Sequence, residues 1–374
     1  MVAYESNFIP KLELCLMHLG FGLYRHMLNR EYLRFAKQCG ATHIVVHLVD
    51  YFNQAGDGND QPTSGGRGGG WGHAGNPDKL WNKEELTQIK TLIESEGLIW
   101  HAVENFDPAH WYDVLLDGPQ KAQQIEGLKK TIRLLGDLNI AIMGYNFSLA
   151  GVYGRTEGNY ARGEAGGVGM EGFVDEAPML DGMIWNMTFD ENATGTAKQT
   201  RISSDELWER LTYFLEALVP VAEEAGVQLA AHPDDPPVPR LRDTPRLVYQ
   251  PHLYQRLLDI VPSPANGLEY CLGTLSEMPD GDIYEATEQY AAQQKIGYVH
   301  FRNVKGKAPN YKEVFIDEGD IDMKRILKIL KKHNFQGVLI PDHAPQMACN
   351  APWHAGMAYS MGYMKSALED LEND

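Results

Sequence analysis

Residues 267–304 read GLEYCLGTLSEMPDGDIYEATEQYAAQQKIGYVHFRNV. Two short apolar runs, Leu268–Leu272 and Tyr298–Phe301, enclose a segment of helical character, Ile283–Gln293. Strands buried on both faces need continuous apolar runs, and parallel strands need a crossover of about this length. The same alternation extends outward in both directions. Upstream the strands are Leu12–Met17, His43–Val49, Leu98–Val103, Ile140–Phe147 and Val227–Ala231, and downstream Val338–Ile340. The helices between and after them are Arg30–Lys37, Lys83–Glu94, Lys121–Leu135, Glu206–Glu224, His252–Asp259, Met323–Lys332 and Met357–Leu371. Asn29 and Asn82 stand at N-cap positions, and Ser203 with Glu206 forms a capping box. Gly97 and Gly226 end helices just before strands, as residues one past a C-cap do. Eight such units in one chain specify a (β/α)8 barrel over an open doubly wound sheet, with residues 1–374 as one domain.

The composition narrows the function. The chain has 374 residues, 43% hydrophobic and 22% charged, which is ordinary for a globular protein. Its formal net charge of −18 argues against a nucleic-acid or anionic-membrane partner, while local cations can still hold a small anion. Cys15, Cys39, Cys271 and Cys349 form no CxxC pair, so a reducing compartment is expected. With no basic leader at the N-terminus and no long apolar run, the protein is expected in the cytoplasm, as a monomer or homo-oligomer.

Two long segments interrupt the pattern, Tyr51–Trp81 after the second strand and Ala150–Thr200 after the fourth. Both follow strand C-termini, the end of such a barrel that carries the active site, so both are expected to form lids. The glycine-rich SGGRGGGWGHAGNP at 64–77 matches no phosphate-binding pattern.

The last four strands end on His232, Cys271, His300 and Asp342. Two imidazoles, a thiolate and a carboxylate at equivalent ends of consecutive strands form a ligand set for a divalent transition ion. His47, Asp50, Glu104, Asn105 and Asn146 end the second, third and fourth strands, and Arg155 lies in the loop that follows. Arg302, two residues beyond His300, shares its face and is expected to hold a substrate carboxylate. His47, Asn146 and Arg155 are further substrate contacts. Asp234 and Asp235 read equally well as support for the ligands or as a solvated turn.

HPDDPP at 232–237, CLGT at 271–274, HFRNV at 300–304, GDIDM at 319–323 and PDHAPQM at 341–347 resemble the mannonate dehydratase family. YNF at 145–147 and VPVAEEAGV at 219–227 extend the resemblance. It implies a barrel of the xylose-isomerase type that uses Mn²⁺, or Fe²⁺ or Co²⁺, to remove water from an aldonic acid. The implied ligands are His232, Cys271, His300 and Asp342, and the implied catalytic histidine is His343. Where the family reads RPDHG, this chain has Ile340 and Ala344. Where it carries PGY, with a catalytic Tyr, the counterpart is Pro352-Trp353-His354, which makes His354 the second acid–base candidate. The expected product is a 2-keto-3-deoxy sugar acid. The alternatives are a metal-dependent sugar isomerase or epimerase, and a noncatalytic sugar-acid-binding subunit.

Overall fold

The computed structural model describes residues 17–49, 79–172, 178–179, 182–185, 187–188 and 201–373. Eight parallel strands close the barrel: β1 His18–Tyr24, β2 His43–His47, β3 Ile99–Glu104, β4 Ile142–Tyr145, β5 Gln228–Ala231, β6 Asn266–Cys271, β7 Ile296–His300 and β8 Val338–Ile340. Each strand pairs with its sequence neighbour, and β1 closes on β8 through His18↔Val338 and Leu19↔Leu339.

The first strand differs from expectation. Most of Leu12–Met17 lies outside the described residues, and β1 is the next segment, HLGFGLY. Gly20 and Gly22 dilute its apolar pattern, so the run before it reads as the stronger strand. Their small size is the structural requirement, because a Cβ on Gly20 would meet Val338 Cγ1 at 2.3 Å.

Eight helices cover the barrel: α1 Arg30–Gln38, α2 Lys83–Ser95, α3 Lys121–Asp137, α4 Ser204–Ala225, α5 Leu253–Ile260, α6 Ile283–Ala292, α7 Met323–Lys332 and α8 Pro352–Asn373. The Asn29 side chain accepts from Glu31 and Tyr32 N–H, Asn82 accepts from Glu85 N–H, and the Ser203–Glu206 capping box is complete. α4 ends at Gly226 in the left-handed conformation, φ 67°. One large core lies between strands and helices, where Phe21, Trp100 and Trp353 are buried. A smaller apolar cluster of Val45, Ala102, Ile142, Ala230, Tyr298, Val338 and Ile340 fills the barrel itself.

Above the C-terminal mouth sits a four-stranded antiparallel sheet that the sequence reading did not anticipate. The hairpin Asn303–Lys307 and Asn310–Val314, inserted after β7, pairs with Ala165–Glu171, which pairs with Thr156–Ala161. Part of the Ala150–Thr200 segment is therefore a roof of regular structure. The Tyr51–Trp81 expectation falls outside the described residues as far as position 78, as does Asp50.

Candidate metal centre and active site

Period-2 geometry sends alternate strand residues into the barrel, and the polar ones collect at its C-terminal end. His47 caps β2, Glu104 caps β3, Glu269 and Cys271 come from β6, and His300 from β7. Asp342 follows β8 with φ 57°, a left-handed conformation costly for a non-glycine residue and found most often at functional positions. Tyr24, His47, Glu104, Asn105, Asn146, Val152, Arg155, His232, Asp235, His300, Asp342 and His343 line one cleft.

Three of the four expected ligands meet directly. One ligand atom each from His232, Cys271 and His300 lies within 4.8 Å of the others. Asp342 reaches the same group through His300, with Oδ2 3.4 Å from Nδ1. Glu104, Glu269 and His300 form an overlapping cluster of the same tightness. His300 Nε2 lies 3.1 Å from Glu269 and 3.4 Å from Glu104, yet neither of its buried ring nitrogens has a well-aligned hydrogen bond. Carboxylates converging on such an imidazole make a donor set that a divalent cation satisfies.

The electrostatics agree. Burial works against ionisation of Cys271, but Arg302, His232 and His300 outweigh it and hold the thiol well below its ordinary value. His232 is raised to about 9 despite burial, by its hydrogen bond to Cys271 and by Glu269. Burial and neighbouring Glu104 push Glu269 up to about 8. Asp235 is lowered to about 2 despite burial, by Arg155 and Arg302.

His343 also faces the cleft. Its Nδ1 lies 3.2 Å from both oxygens of Glu313, which arrives on the inserted hairpin. Asp342 and Glu313 raise its pKa against the effect of burial. Arg155 Nη1 contacts the same Glu313 at 3.1 Å and Asp235 at 3.5 Å, so the roof and the barrel rim are joined by ion pairs. His47 Nε2 lies 3.3 Å from Glu104, and the Asn146 amide donates to Pro233 O at 3.3 Å.

Two expectations are corrected. Arg302 does not present its guanidinium to the cleft. Nε bonds Asp342 (3.1 Å), Nη1 bonds Glu277 (2.8 Å) and approaches Glu313 (3.3 Å), and Nη2 bonds Asp235 (2.9 Å) and Thr274 (3.0 Å). A guanidinium enclosed by four carboxylates neutralises the buried anionic shell and has no edge left for a bidentate substrate contact. His354 is not at the site. α8 starts at Pro352, five residues before the expected Met357, which places His354 in its first turn. There its ring packs 5.4 Å from Tyr32 and 4.7 Å from Phe35 of α1, in the helix layer outside the barrel. Tyr359, further along α8, bonds Arg162 under the roof sheet.

Glu269, Glu277, Glu313 and Tyr24 are site residues that sequence reasoning missed. Glu269 was detectable, since it lies two before Cys271 in an otherwise apolar strand and so shares its inward face. Asp235, left open between two readings, is buried support for both arginines, while Asp234 bonds Arg246 and the Leu247 and Val248 amides.

The closed parallel barrel has the xylose-isomerase-like fold, and its C-terminal mouth carries a His, Cys and carboxylate cluster that could hold a metal ion. The comparisons with known proteins sharpen this. A family model for D-mannonate dehydratase (UxuA) matches residues 33–371, and the chain belongs to that family and is a hydro-lyase. The mannonate dehydratase of Streptococcus equi subsp. zooepidemicus is 32% identical over 277 residues, 71% of this chain and 75% of that protein. That of Oceanobacillus iheyensis is 32% identical over 314 residues, 79% and 87%. In fold, the chain is similar to a solved mannonate dehydratase from Streptococcus suis, with TM-score 0.72, 23% identity and coverage of 96% and 95%. It is also similar to an L-ribulose 3-epimerase, with TM-score 0.52, 15% identity and coverage of 96% of each chain. Among the described residues no helix is long and apolar enough to cross a membrane.

Proposed function

We propose that this protein removes water from a six-carbon aldonic acid, D-mannonate or a close stereoisomer, to give the 2-keto-3-deoxy acid. The observation that carries the reading is the meeting of His232, Cys271 and His300 at one point of a carboxylate-rich cleft. We assign the metal ligands to His232, Cys271, His300 and Asp342. Two imidazoles and a carboxylate suit Mn²⁺, and the softer Cys271 thiolate also accommodates Fe²⁺ or Co²⁺. When bound, the ion supplies Lewis-acid stabilisation of the charge that develops as the weakly acidic C2 proton leaves.

The chain's own residues do the rest. His343, oriented through Nδ1 by Glu313, offers Nε2 to the cleft as one proton-transfer group. With His354 elsewhere, the second proton transfer falls to the adjacent wall of β1 and β2, where the Tyr24 ring lies tilted 4.5 Å from His47 and His47 meets Glu104. Arg155 and Asn146 orient the substrate. Val152 and Arg155 bring the roof down to the cleft, where it excludes water and strengthens each electrostatic contact. The whole chain is read as one barrel domain of the cytoplasm, able to form homo-oligomers, with the two insertions covering its mouth.

The test is incubation of Mn²⁺-loaded protein with a panel of aldonic acids and neutral ketoses. A new 2-keto-3-deoxy acid is the expected result. Exchange of a C–H label on a ketose without loss of water would replace the reading with epimerisation. Cys271→Ala should lower bound metal well below that of the unmodified protein while the far-ultraviolet spectrum is kept. Full metal content in that variant would remove Cys271 from the ligand set.

A further inference from the structure

At the opposite, N-terminal mouth of the barrel three histidines stand side by side. His18 opens β1 and His43 opens β2, both on the inward face, four residues or more before the cleft residues Tyr24 and His47. His101 joins them through a bulge in β3. The ladder runs Ile44↔Trp100 and then Val45↔Ala102, so His101 is the extra residue. A bulge of this kind re-aims a side chain. The ring centroids of His18 and His43 are 4.5 Å apart, and those of His43 and His101 are 5.6 Å apart.

We propose that His18, His43 and His101 form a second metal site, for a borderline divalent ion such as Zn²⁺, that is separate from the catalytic cleft. For imidazoles bound tetrahedrally at about 2.05 Å, ring centroids lie about 5.2 Å apart, between the two separations observed. The three rings do not yet converge on one point, and binding requires His18, the exposed member, to turn toward the other two.

The hydrogen bonds point the same way. The Thr42 hydroxyl lies 3.2 Å from Leu19 O and donates to it, so it accepts from His43 Nδ1 at 2.8 Å. That fixes the proton of His43 on Nδ1 and leaves Nε2 with a lone pair. His101 bonds the backbone at Gly297, and its Nε2 is buried without a partner. A ring nitrogen anchored to a hydroxyl or carbonyl, with the other left open, is how metal-binding histidines are held. An unpartnered buried nitrogen is otherwise a net cost to the fold. Burial and mutual repulsion lower both His43 and His101 to about 4, so both rings are neutral, as ligands must be, across the physiological range. All three donors are nitrogen, in contrast to the mixed thiolate and carboxylate set around His300, so Mn²⁺ is expected at the cleft alone while Zn²⁺ can occupy both ends. An ion here would tie together the first turns of β1, β2 and β3.

Zinc titration by calorimetry and elemental analysis tests this, on the whole protein and on two variants, Cys271→Ala and the pair His43→Gln/His101→Gln. The expected result is two zinc equivalents in the unmodified protein, one lost in each variant and independently of the other. The histidine pair should keep Mn²⁺-supported turnover within about twofold, which shows that it is folded. A second probe avoids the interior altogether. Thr42→Val removes only the anchor of His43 and should weaken the second zinc by about 10- to 100-fold. Zinc stoichiometry and affinity unchanged in the histidine pair, or in Thr42→Val, would overturn the proposal. So would a single equivalent in the unmodified protein that disappears with Cys271.

Discussion

Replacing Arg302 with Met separates two roles that a cleft arginine can play. The substitution keeps the length of the side chain and removes the charge on which Asp235, Glu277, Glu313 and Asp342 converge, at 2.9, 2.8, 3.3 and 3.1 Å. Asp235, Glu277 and Glu313 are buried and Asp342 is partly so, which leaves water little room to replace the cation. Breaking a buried pair from one side costs about 3–5 kcal/mol. Protonation sets a ceiling on that cost. Taking a carboxylate from an ordinary pKa near 4 to the neutral form at pH 7 requires about 4 kcal/mol. Glu277 is the group best placed to accept that proton, because burial and then Asp235 already hold it well above the carboxylate range. The expected loss is therefore about 4 kcal/mol at pH 7, a shift of roughly 1 M or more in the urea midpoint. It should shrink as the pH falls, because protonation then becomes easier. Urea unfolding of metal-saturated protein at several pH values reads this directly. If Arg302 were instead a substrate clamp, Arg302→Met would unfold at the same urea concentration and show only a raised KM. That outcome, with less than about 1 kcal/mol of lost stability, would refute the account.

Three further outcomes are expected. His354→Asn should leave kcat/KM within about twofold and its pH profile unchanged, since the ring packs on Tyr32 and Phe35; a new or missing ionisation in the rate profile would return it to the site. Gly144→Ala would place a Cβ 2.4 Å from Glu269 Oε2 and 3.2 Å from the Tyr298 hydroxyl, so it should displace the Glu269 carboxylate from His300 and cost about 1–3 kcal/mol, measured by metal affinity and thermal unfolding. Metal-free protein should lose stability as the pH falls from about 6.5 toward 4. His101 is lowered to about 4 by burial and by His43 and His18, so the unfolded chain takes up its proton first, a loss of about 3 kcal/mol across that window. Stability in the His101→Gln variant should be flatter over the same range.

The barrel was legible because it is written in local signals. Most strands are continuous apolar runs, several helices start at a side-chain cap, and Asn29, Asn82, Ser203 and Gly226 all act as those signals imply. That His232, Cys271 and His300 meet was legible for a related reason, since barrel topology brings successive strand ends together. What escaped depends on tertiary geometry. β1 was displaced because close packing at Gly20 demands the absence of a side chain, and that weakens the apolar signal. The roof sheet pairs segments that are about 140 residues apart in the chain, Met170 with Tyr311 for example, so no local pattern announces it. Arg302 was correctly placed on the inward face with His300, but its partners Glu277 and Glu313 come from segments whose position no periodicity reveals.

The departure from the family pattern at Ile340 gains a physical meaning once Arg302 is withdrawn from the substrate. Ile340 stands where the family has an arginine, and it packs at the barrel axis with Val45, Tyr298 and Val338, leaving no cation at that level. Among the described side chains that line the cleft, Arg155 is then the only arginine or lysine. It is delivered by the roof, not by a barrel strand, and Glu313 and Asp235 hold it in place. In the proposed function, recognition of the acid's carboxylate thus falls to an element joined through Glu313 to His343, the proposed proton-transfer group. On that assignment substrate orientation and the position of His343 are coupled through one carboxylate. A change in the roof around Arg155 is then expected to alter kcat along with KM, which a variant series around Arg155 assayed on several aldonic acids measures.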